Sequence, residues 1–211
     1  MKRTLISDIQ SQIGQPVMLE GWVQTLRDQG SIKFLLLRDR SGIIQTIIVK
    51  NAPAAFAASE KLTQESVVRI IGTAKKEAQA PGGIEVAVES IIILSLAGPE
   101  LPIPIVEKSE TETDLQVRMD WRWLDLRKPK KQLIFRVWTE MEQGFRQYWV
   151  ENDYIEVHSP KLMSTPSESG AELFEVIYFD RKAYLAQSPQ FYKQMAQAAG
   201  FERVFEVGPV F

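Results

Sequence analysis

"PVMLEGWVQTL", residues 16–26, alternates apolar and polar side chains with a period of two, which is typical of a β-strand with one buried face. The face expected to be buried carries Val17, Leu19, Gly21 and Val23. Two apolar runs follow, KFLLLRD at 33–39 and IIQTIIV at 43–49, and the residues between them favour a turn. We therefore predict that these two runs form a β-hairpin.

The rest of the N-terminal region supplies one helix and two further strands. Residues 52–61 are rich in alanine and predict a helix, whereas the apolar runs at 67–74 and 84–94 predict strands. Five short strands with one helix between the third and the fourth are typical of an OB-fold. We predict an all-β OB-fold barrel over residues 1–95. A small barrel with no nucleic-acid role has the same outline, so this pattern does not decide the function.

A proline-containing, acidic segment at 96–114 predicts a linker, and the pattern changes after it. Apolar residues then recur at spacings of four and three: Ile134, Trp138, Met141, Phe145 and Tyr148. This spacing predicts a long helix that starts after Pro129. Short strand patterns follow, then a second helix expected over Ser188–Ala199 and a final strand expected over Arg203–Phe211. A long helix followed by antiparallel strands indicates an α+β domain over 115–211.

Composition excludes several classes of protein. The 211 residues are 45% hydrophobic and 25% charged with a net charge of −2, so bulk charge gives no argument for nucleic-acid binding. There is no cysteine and a single histidine, His158, which excludes a disulfide framework and a thiolate or histidine metal cluster. We predict no metal site. No signal peptide or membrane-spanning run is present, so we expect a soluble, cytoplasmic protein.

Arg27, Phe34 and Gln45 are the candidate nucleic-acid contacts of the predicted barrel. The face formed by the second and third strands of an OB barrel carries single-stranded nucleic acid. An aromatic ring there can stack on an unpaired base, an amide can bind the edge of that base, and an arginine can hold a phosphate. On spacing alone, the alternative is that Phe34 belongs to the core and that Gln45 and Arg27 are ordinary surface residues.

A second candidate surface is basic. Residues 118–136 contain seven basic side chains against two acidic ones, with Trp121 and Trp123 between them. Basic and aromatic side chains together favour a phosphate-rich partner. The alternative is the solvated start of a helix, with the lysine and arginine stems lying on apolar surface.

A loop and a helix start supply the candidates for a small-molecule site. STPSESGA at 164–171 is typical of a mobile loop and carries Glu168, whose carboxylate could bind an ammonium group. Gln190 and Lys193 are three residues apart and share one face of the predicted helix, where a lysine suits a carboxylate. Together these groups favour an acidic amino acid as ligand. The alternative is a surface amphipathic helix without a ligand.

Several stretches resemble the aspartyl-tRNA synthetases in their archaeal and eukaryotic form, and the resemblance covers the whole chain. It is carried by PSESGAELFEVIYF (166–179), AQSPQFYKQ (186–194) and FERVFEVGPVF (201–211). GWVQTLRDQGSIKFLLLRDRSGIIQ at 21–45 resembles the anticodon-binding domain of that family. FRQYWVENDYIEVHSPKL at 145–162 resembles motif 1 of class II synthetases, with Pro160 as the proline of the dimer interface.

This resemblance implies a fold and a reaction. Residues 115–211 would be the first part of a class II catalytic domain, an antiparallel sheet with helices. The family activates aspartate with ATP and Mg²⁺ to aspartyl-adenylate and transfers the aspartyl group to the 3′ end of tRNA-Asp. The implied partners are therefore tRNA-Asp, aspartate and a second copy of the chain in a homodimer.

Each candidate residue also receives a role from the resemblance. Phe34 would stack on the central anticodon base, Gln45 would hydrogen-bond that base, and Arg27 would assist. In the aspartate site, Glu168 would bind the ammonium group and Gln190 the amino acid and its adenylate. Lys193 would pair with the side-chain carboxylate of aspartate, which distinguishes aspartate from asparagine.

Two departures from the family pattern qualify the resemblance. FEVGPVF at 205–211 resembles the first strand of motif 2, but the arginines of motifs 2 and 3 are not in the sequence. We therefore assign no catalytic residue and expect most of the ATP site to be missing; the alternative is a shortened protein that binds tRNA or a partner without catalysis. Ala80-Pro81 resembles the members that also charge tRNA-Asn, whereas Gln24 departs from both known patterns.

Overall fold

The structure, a computed structural model, describes residues 1–107, 112–164 and 174–211. It divides into two compact units, Met1–Lys131 and Gln132–Phe211. Residues 96–131 therefore belong to the same unit as the N-terminal strands. The division into residues 1–95, 96–114 and 115–211 that the sequence predicts stays a prediction.

Five strands of the first unit close into a barrel. They are β1 (Pro16–Asp28), β2 (Ile32–Arg38), β3 (Ile43–Val49), β4 (Val67–Lys76) and β5 (Ile84–Ser95), with helix α1 (Pro53–Ser59) between β3 and β4. The strand order is β1-β2-β3-β5-β4, with β1 and β4 paired and only the β3–β5 pair parallel. This topology confirms the predicted OB-fold barrel.

The barrel core follows from the alternation along the strands. Leu35 and Leu37 of β2 are fully buried, whereas Phe34 and Leu36 between them lie on the outer face and are half-buried. Gly21 lets β1 approach β2 closely, because a Cβ atom there would lie 2.3 Å from the carbonyl oxygen of Arg38. The core of this unit therefore depends on small residues as well as on large apolar ones.

Two short helices that the sequence patterns did not reveal complete the first unit. They are α2 (Leu115–Asp120) and α3 (Arg122–Asp125), and Leu124 of α3 packs against Ile103 and Ile105 in a small apolar cluster. Arg127 connects this region to the barrel, because its guanidinium pairs with buried Glu65 at 2.7 Å. Glu65 pairs equally with Arg38, also at 2.7 Å.

The second unit contains most of the long helix and two small sheets. The bounds are α4 (Pro129–Glu151), β6 (Ile155–Glu156), β7 (Leu162–Met163), β8 (Glu175–Tyr178), β9 (Arg181–Leu185), α5 (Gln190–Ala196) and β10 (Val204–Phe205). Strands β7, β9 and β8 form an antiparallel sheet in that order, while β6 and β10 pair in parallel. The unit is thus the predicted combination of helices with an antiparallel sheet, with one parallel pair added.

Two sequence-based expectations for this unit are wrong in extent. The strand expected over Arg203–Phe211 is only two residues long, because its partner β6 offers only two residues for pairing. The second helix was expected to run to Ala199. Helix α5 instead ends at Ala196 and continues as a π-helical turn, Gln197–Phe201, in which Gly200 has a φ of +93°. Glycine tolerates this left-handed conformation, which ends the helix.

Candidate functional site

Arg27 and Phe34 lie side by side on the outer face of the barrel. They are cross-strand partners in the β1–β2 pair, and the guanidinium carbon of Arg27 is 5.8 Å from the centre of the Phe34 ring. Phe34 is not among the buried core residues, so the alternative that assigned it to the core is wrong. A half-buried ring beside an exposed arginine offers one stacking surface and one positive charge to a ligand.

Gln45 lies next to this pair, but it is not an ordinary surface residue. It is opposite Leu36, two positions along β2 from Phe34, and only 5% of it is exposed. Its Nε2 atom donates a hydrogen bond of 2.8 Å to Oε2 of Glu85, the neighbouring residue on β5. This bond fixes the orientation of the Gln45 amide on the same face as Phe34.

Glu85 is a residue of this face that the sequence analysis missed. It is 2% exposed, and its second oxygen pairs with Lys75 Nζ of β4 at 2.9 Å. The signal was present in IEVAV at 84–88, where a glutamate interrupts an apolar strand. Buried carboxylates occur in proteins only with compensating partners, and Gln45 and Lys75 are those partners here.

The β1–β2 loop beside Arg27 is tightly held. The backbone N–H of Gly30 donates to Asp28 Oδ1 at 2.8 Å, and Lys33 Nζ lies 3.2 Å from Asp28 Oδ2. The backbone hydrogen bond and, after it, Lys33 lower the pKa of the Asp28 carboxyl. The loop thus presents a fixed edge to the Arg27–Phe34 surface.

Gln24 lies at a bulge in β1, where the register to β2 shifts between Val23 and Thr25. Its Oε1 atom is buried and accepts no hydrogen bond from the residues that the structure describes. Ala80, the other position noted for tRNA choice, is buried just before a 3₁₀ turn, Pro81–Gly83.

The aspartate-site candidates fall partly outside the described residues. Glu168 is not among them, so the structure does not place it. Gln190 and Lys193 lie on α5, and the backbone N–H of Gln190 donates to Ser188 Oγ at 3.2 Å. Lys193 is half-buried, and its ammonium group forms no ion pair with any side chain in the described parts of the chain.

Pro160 is exposed in the segment between β6 and β7. Its neighbours Ser159 and Lys161 both contact Glu206, a second buried acid that the sequence analysis did not single out. Burial by itself would raise the pKa of Glu206, but hydrogen bonds from Lys161 and Ser159 lower it. Glu206 therefore carries a negative charge at neutral pH.

The basic stretch 118–136 is mostly paired internally. Carboxylates within the same unit bind Arg118, Arg122, Arg127, Lys128 and Lys131. Burial would lower the pKa of Lys128, but Glu107 and Asp125 outweigh it and raise the pKa. These five ion pairs therefore connect the basic stretch to carboxylates of the same unit.

The protein-family comparisons account for both units. A model described as an OB-fold nucleic-acid-binding domain matches residues 17–94. A model described as class II tRNA synthetases (D, K and N) matches residues 114–211. Residues 114–211 thus belong to the class II tRNA synthetase family.

Curated relatives of this chain carry the name aspartate–tRNA(Asp/Asn) ligase. One from Archaeoglobus fulgidus is 44% identical over 99% of this chain and 49% of its own length. One from Methanopyrus kandleri is 48% identical over 94% of this chain and 46% of its own length. The chain thus spans about half the length of the curated relatives it matches.

Solved synthetase structures agree with the fold. The asparaginyl-tRNA synthetase from Pyrococcus horikoshii in complex with asparaginyl-adenylate matches with a TM-score of 0.88 and 33% identity, covering 100% of this chain and 48% of that one. The aspartyl-tRNA synthetase from Entamoeba histolytica matches with a TM-score of 0.79 and 29% identity, over 100% and 46% of the two chains. The resemblance seen in the sequence is therefore confirmed at the level of the family.

Two further findings concern membranes and metals. Among the residues that the structure describes, every helix is too short or too polar to cross a bilayer. Within the same residues there is no group of three or more His, Asp or Glu side chains that could hold a metal ion.

Proposed function

We propose that the chain forms the anticodon-binding and aspartate-recognising parts of an aspartate–tRNA ligase. The reaction would activate aspartate with ATP to aspartyl-adenylate and transfer the aspartyl group to the 3′ end of tRNA-Asp. The relatives of that name, at 44% and 48% identity, support this assignment. The compartment we propose is the cytoplasm.

Lys193 is the observation on which the choice of aspartate rests. A half-buried ammonium group without a carboxylate partner among the described residues has a binding capacity that none of those residues uses. The side-chain carboxylate of aspartate would fill it, whereas the neutral amide of asparagine would leave the charge uncompensated. In this proposal Gln190 binds the amino acid and its adenylate, and Glu168 binds the ammonium group.

The barrel surface supports anticodon binding. Phe34 would stack on an unpaired base, with Arg27 beside the ring. Gln45 would bind the edge of the same base through the amide atoms that Glu85 leaves available.

ATP and Mg²⁺ complete the proposed reaction. Mg²⁺ neutralises phosphate charge in such reactions when it is bound. Since the described residues contain no metal-holding cluster, we assign no residue of this chain to Mg²⁺.

A homodimer is also proposed. Apolar side chains along α4 remain about half exposed, among them Ile134, Trp138, Met141, Phe145 and Tyr148. An exposed apolar helix face of this kind favours coverage by another protein surface. Pro160, exposed in the same unit, would belong to the contact between the two copies.

We further propose that both tRNA-Asp and tRNA-Asn are substrates. The relatives named for both tRNAs support this, as does the Ala80-Pro81 pair. Aspartylation of tRNA-Asn and tRNA-Asp transcripts, measured side by side at near-physiological salt, tests it. No charging of tRNA-Asn would restrict the substrate to tRNA-Asp.

A second candidate function is tRNA binding without catalysis. The closed barrel favours it, because five paired strands and a single core complete this fold within residues 1–95. Steady-state aminoacylation by the protein separates the two candidates, since only the ligase consumes ATP and aspartate.

Two variants test the ligase and its two sites. In a complete ligase that contains this chain, Lys193→Ala should mainly raise the KM for aspartate, by about tenfold or more, and leave tRNA affinity unchanged. Lys182→Ala, which changes an exposed lysine of β9, serves as the control. Phe34→Ala should weaken tRNA binding by about 1–3 kcal/mol, the usual value of a base stacked on an aromatic side chain. Phe34→Tyr should bind tRNA about as well as the wild type does, because it keeps an aromatic ring at this position. Equal loss of aspartate and tRNA binding in Lys193→Ala would indicate misfolding and contradict the assignment.

A further inference from the structure

Ser159, Pro160 and Lys161, here called the elbow, connect the two small sheets of the second unit. On one side β6 pairs with β10, and on the other β7 pairs with β9. Pro160 has no backbone N–H, so it cannot be fixed by a donor of its own. The orientation of the elbow must therefore depend on its two neighbours.

One carboxylate oxygen holds both neighbours. Glu206 directly follows β10, and its Oε1 accepts hydrogen bonds from Ser159 N at 3.2 Å and Ser159 Oγ at 3.0 Å. The same oxygen accepts from Lys161 Nζ at 2.5 Å, and Lys161 also donates to Ser159 Oγ at 3.1 Å. Three donors on one acceptor restrain the backbone on either side of Pro160.

The burial of Glu206 indicates that this restraint orients the backbone and is not mainly a source of stability. Its side chain is 3% exposed, and Oε2 accepts no hydrogen bond from any described residue. A buried ion pair is a poor source of stability, since apolar residues of similar volume often stabilise a protein equally well. What a buried, ionised carboxylate adds is a defined direction for its donors.

We infer that Glu206 is a positioning residue that fixes the elbow so that Pro160 faces a second copy of this chain in one orientation. This inference rests on the proposed homodimer. Glu206 lies directly after β10, 46 positions along the chain from the proline, and so makes self-association depend on the β6–β10 pair. Without the carboxylate, Ser159 and Lys161 lose their common acceptor and Pro160 samples several orientations.

Sedimentation velocity over a concentration series tests the inference on wild type, Glu206→Gln and a control, Glu20→Gln. The control removes the charge from a different carboxylate that is in an ion pair, the 2.6 Å pair with Arg69 in the barrel. Glu206→Gln should raise the dimer dissociation constant at least about tenfold at a temperature where it is fully folded. The control should leave that constant unchanged.

Thermal unfolding of each variant separates association from folding. If Glu206→Gln does not fold, Lys161→Met takes its place as the test variant. A folded Lys161→Met protein that associates more weakly than wild type supports the inference. Unchanged association of that variant overturns it. A dimeric wild type with an equally tight Glu206→Gln dimer overturns this inference alone. A monomeric wild type at every concentration overturns the homodimer and the inference together.

Discussion

A double-mutant cycle on Gln45 and Glu85 tests how the barrel would read a base. The two side chains share one hydrogen bond of 2.8 Å and lie 40 positions apart in the chain. In Glu85→Ala the Gln45 amide loses its acceptor and can turn over, so that its donor and acceptor atoms exchange places. Glu85 would then affect tRNA binding only through Gln45.

The expected sizes follow from the bonds that are lost. Gln45→Ala removes one or two hydrogen bonds to a base, about 1–2 kcal/mol in total, or about 5- to 30-fold in tRNA affinity. Glu85→Ala should cost about 2- to 10-fold, because a free amide still finds the correct orientation part of the time. The double variant should bind tRNA as Gln45→Ala does, so that the two losses do not add.

The assay is fluorescence anisotropy with a tRNA transcript at one fixed salt concentration, since affinity for nucleic acid depends strongly on salt. Lys75→Ala is the matched control because it removes the other partner of Glu85 and leaves the Gln45 bond intact. Lys75 is 46% exposed, so its loss should change stability by less than about 1 kcal/mol and tRNA affinity very little. Additive losses in the double variant would refute the orientation argument.

Two further predictions concern stability, measured by chemical denaturation. Glu65→Ala should destabilise the first unit by about 3–5 kcal/mol, because it leaves the buried guanidinium of Arg38 uncompensated. Arg127→Ala should cost only about 1 kcal/mol, since Arg127 is more exposed and Glu65 keeps Arg38; equal losses would contradict this ranking. Gly21→Ala should destabilise the barrel by about 1–3 kcal/mol through its 2.3 Å clash with a backbone oxygen. Gly144→Ala, in helix α4 with no atom within 4 Å, should stabilise by up to about 1 kcal/mol, and a loss as large as that of Gly21→Ala would refute the steric explanation.

The barrel could be predicted from the sequence because each of its strands shows a recognisable local pattern of apolar and polar residues. The third strand was predicted at Ile43–Val49 and observed with those bounds. The helix of 52–61 was observed as Pro53–Ser59, two residues or fewer from its expected start and end. Alternation and turn residues act within a few positions, so they can be recognised without knowledge of the fold.

Helices α2 and α3 escaped prediction for the opposite reason. They contain six and four residues, too short for a helical period to emerge. Their region is held by long-range ion pairs, such as that of Arg127 with Glu65, 62 positions away. A pattern of neighbouring residues cannot identify a partner that is so far away in the sequence.

The sequence by itself determined the strands of the barrel, the long helix and the family resemblance, because periodicity and motif spacing are local properties. Only the tertiary structure decided that Gln45 is buried against Glu85 and that Glu206 holds the residues on either side of Pro160. Both arrangements join residues 40 or more positions apart. A buried carboxylate requires hydrogen-bond donors close to it in space. Here those donors are far away in the sequence, so only the folded chain brings them next to the carboxylate.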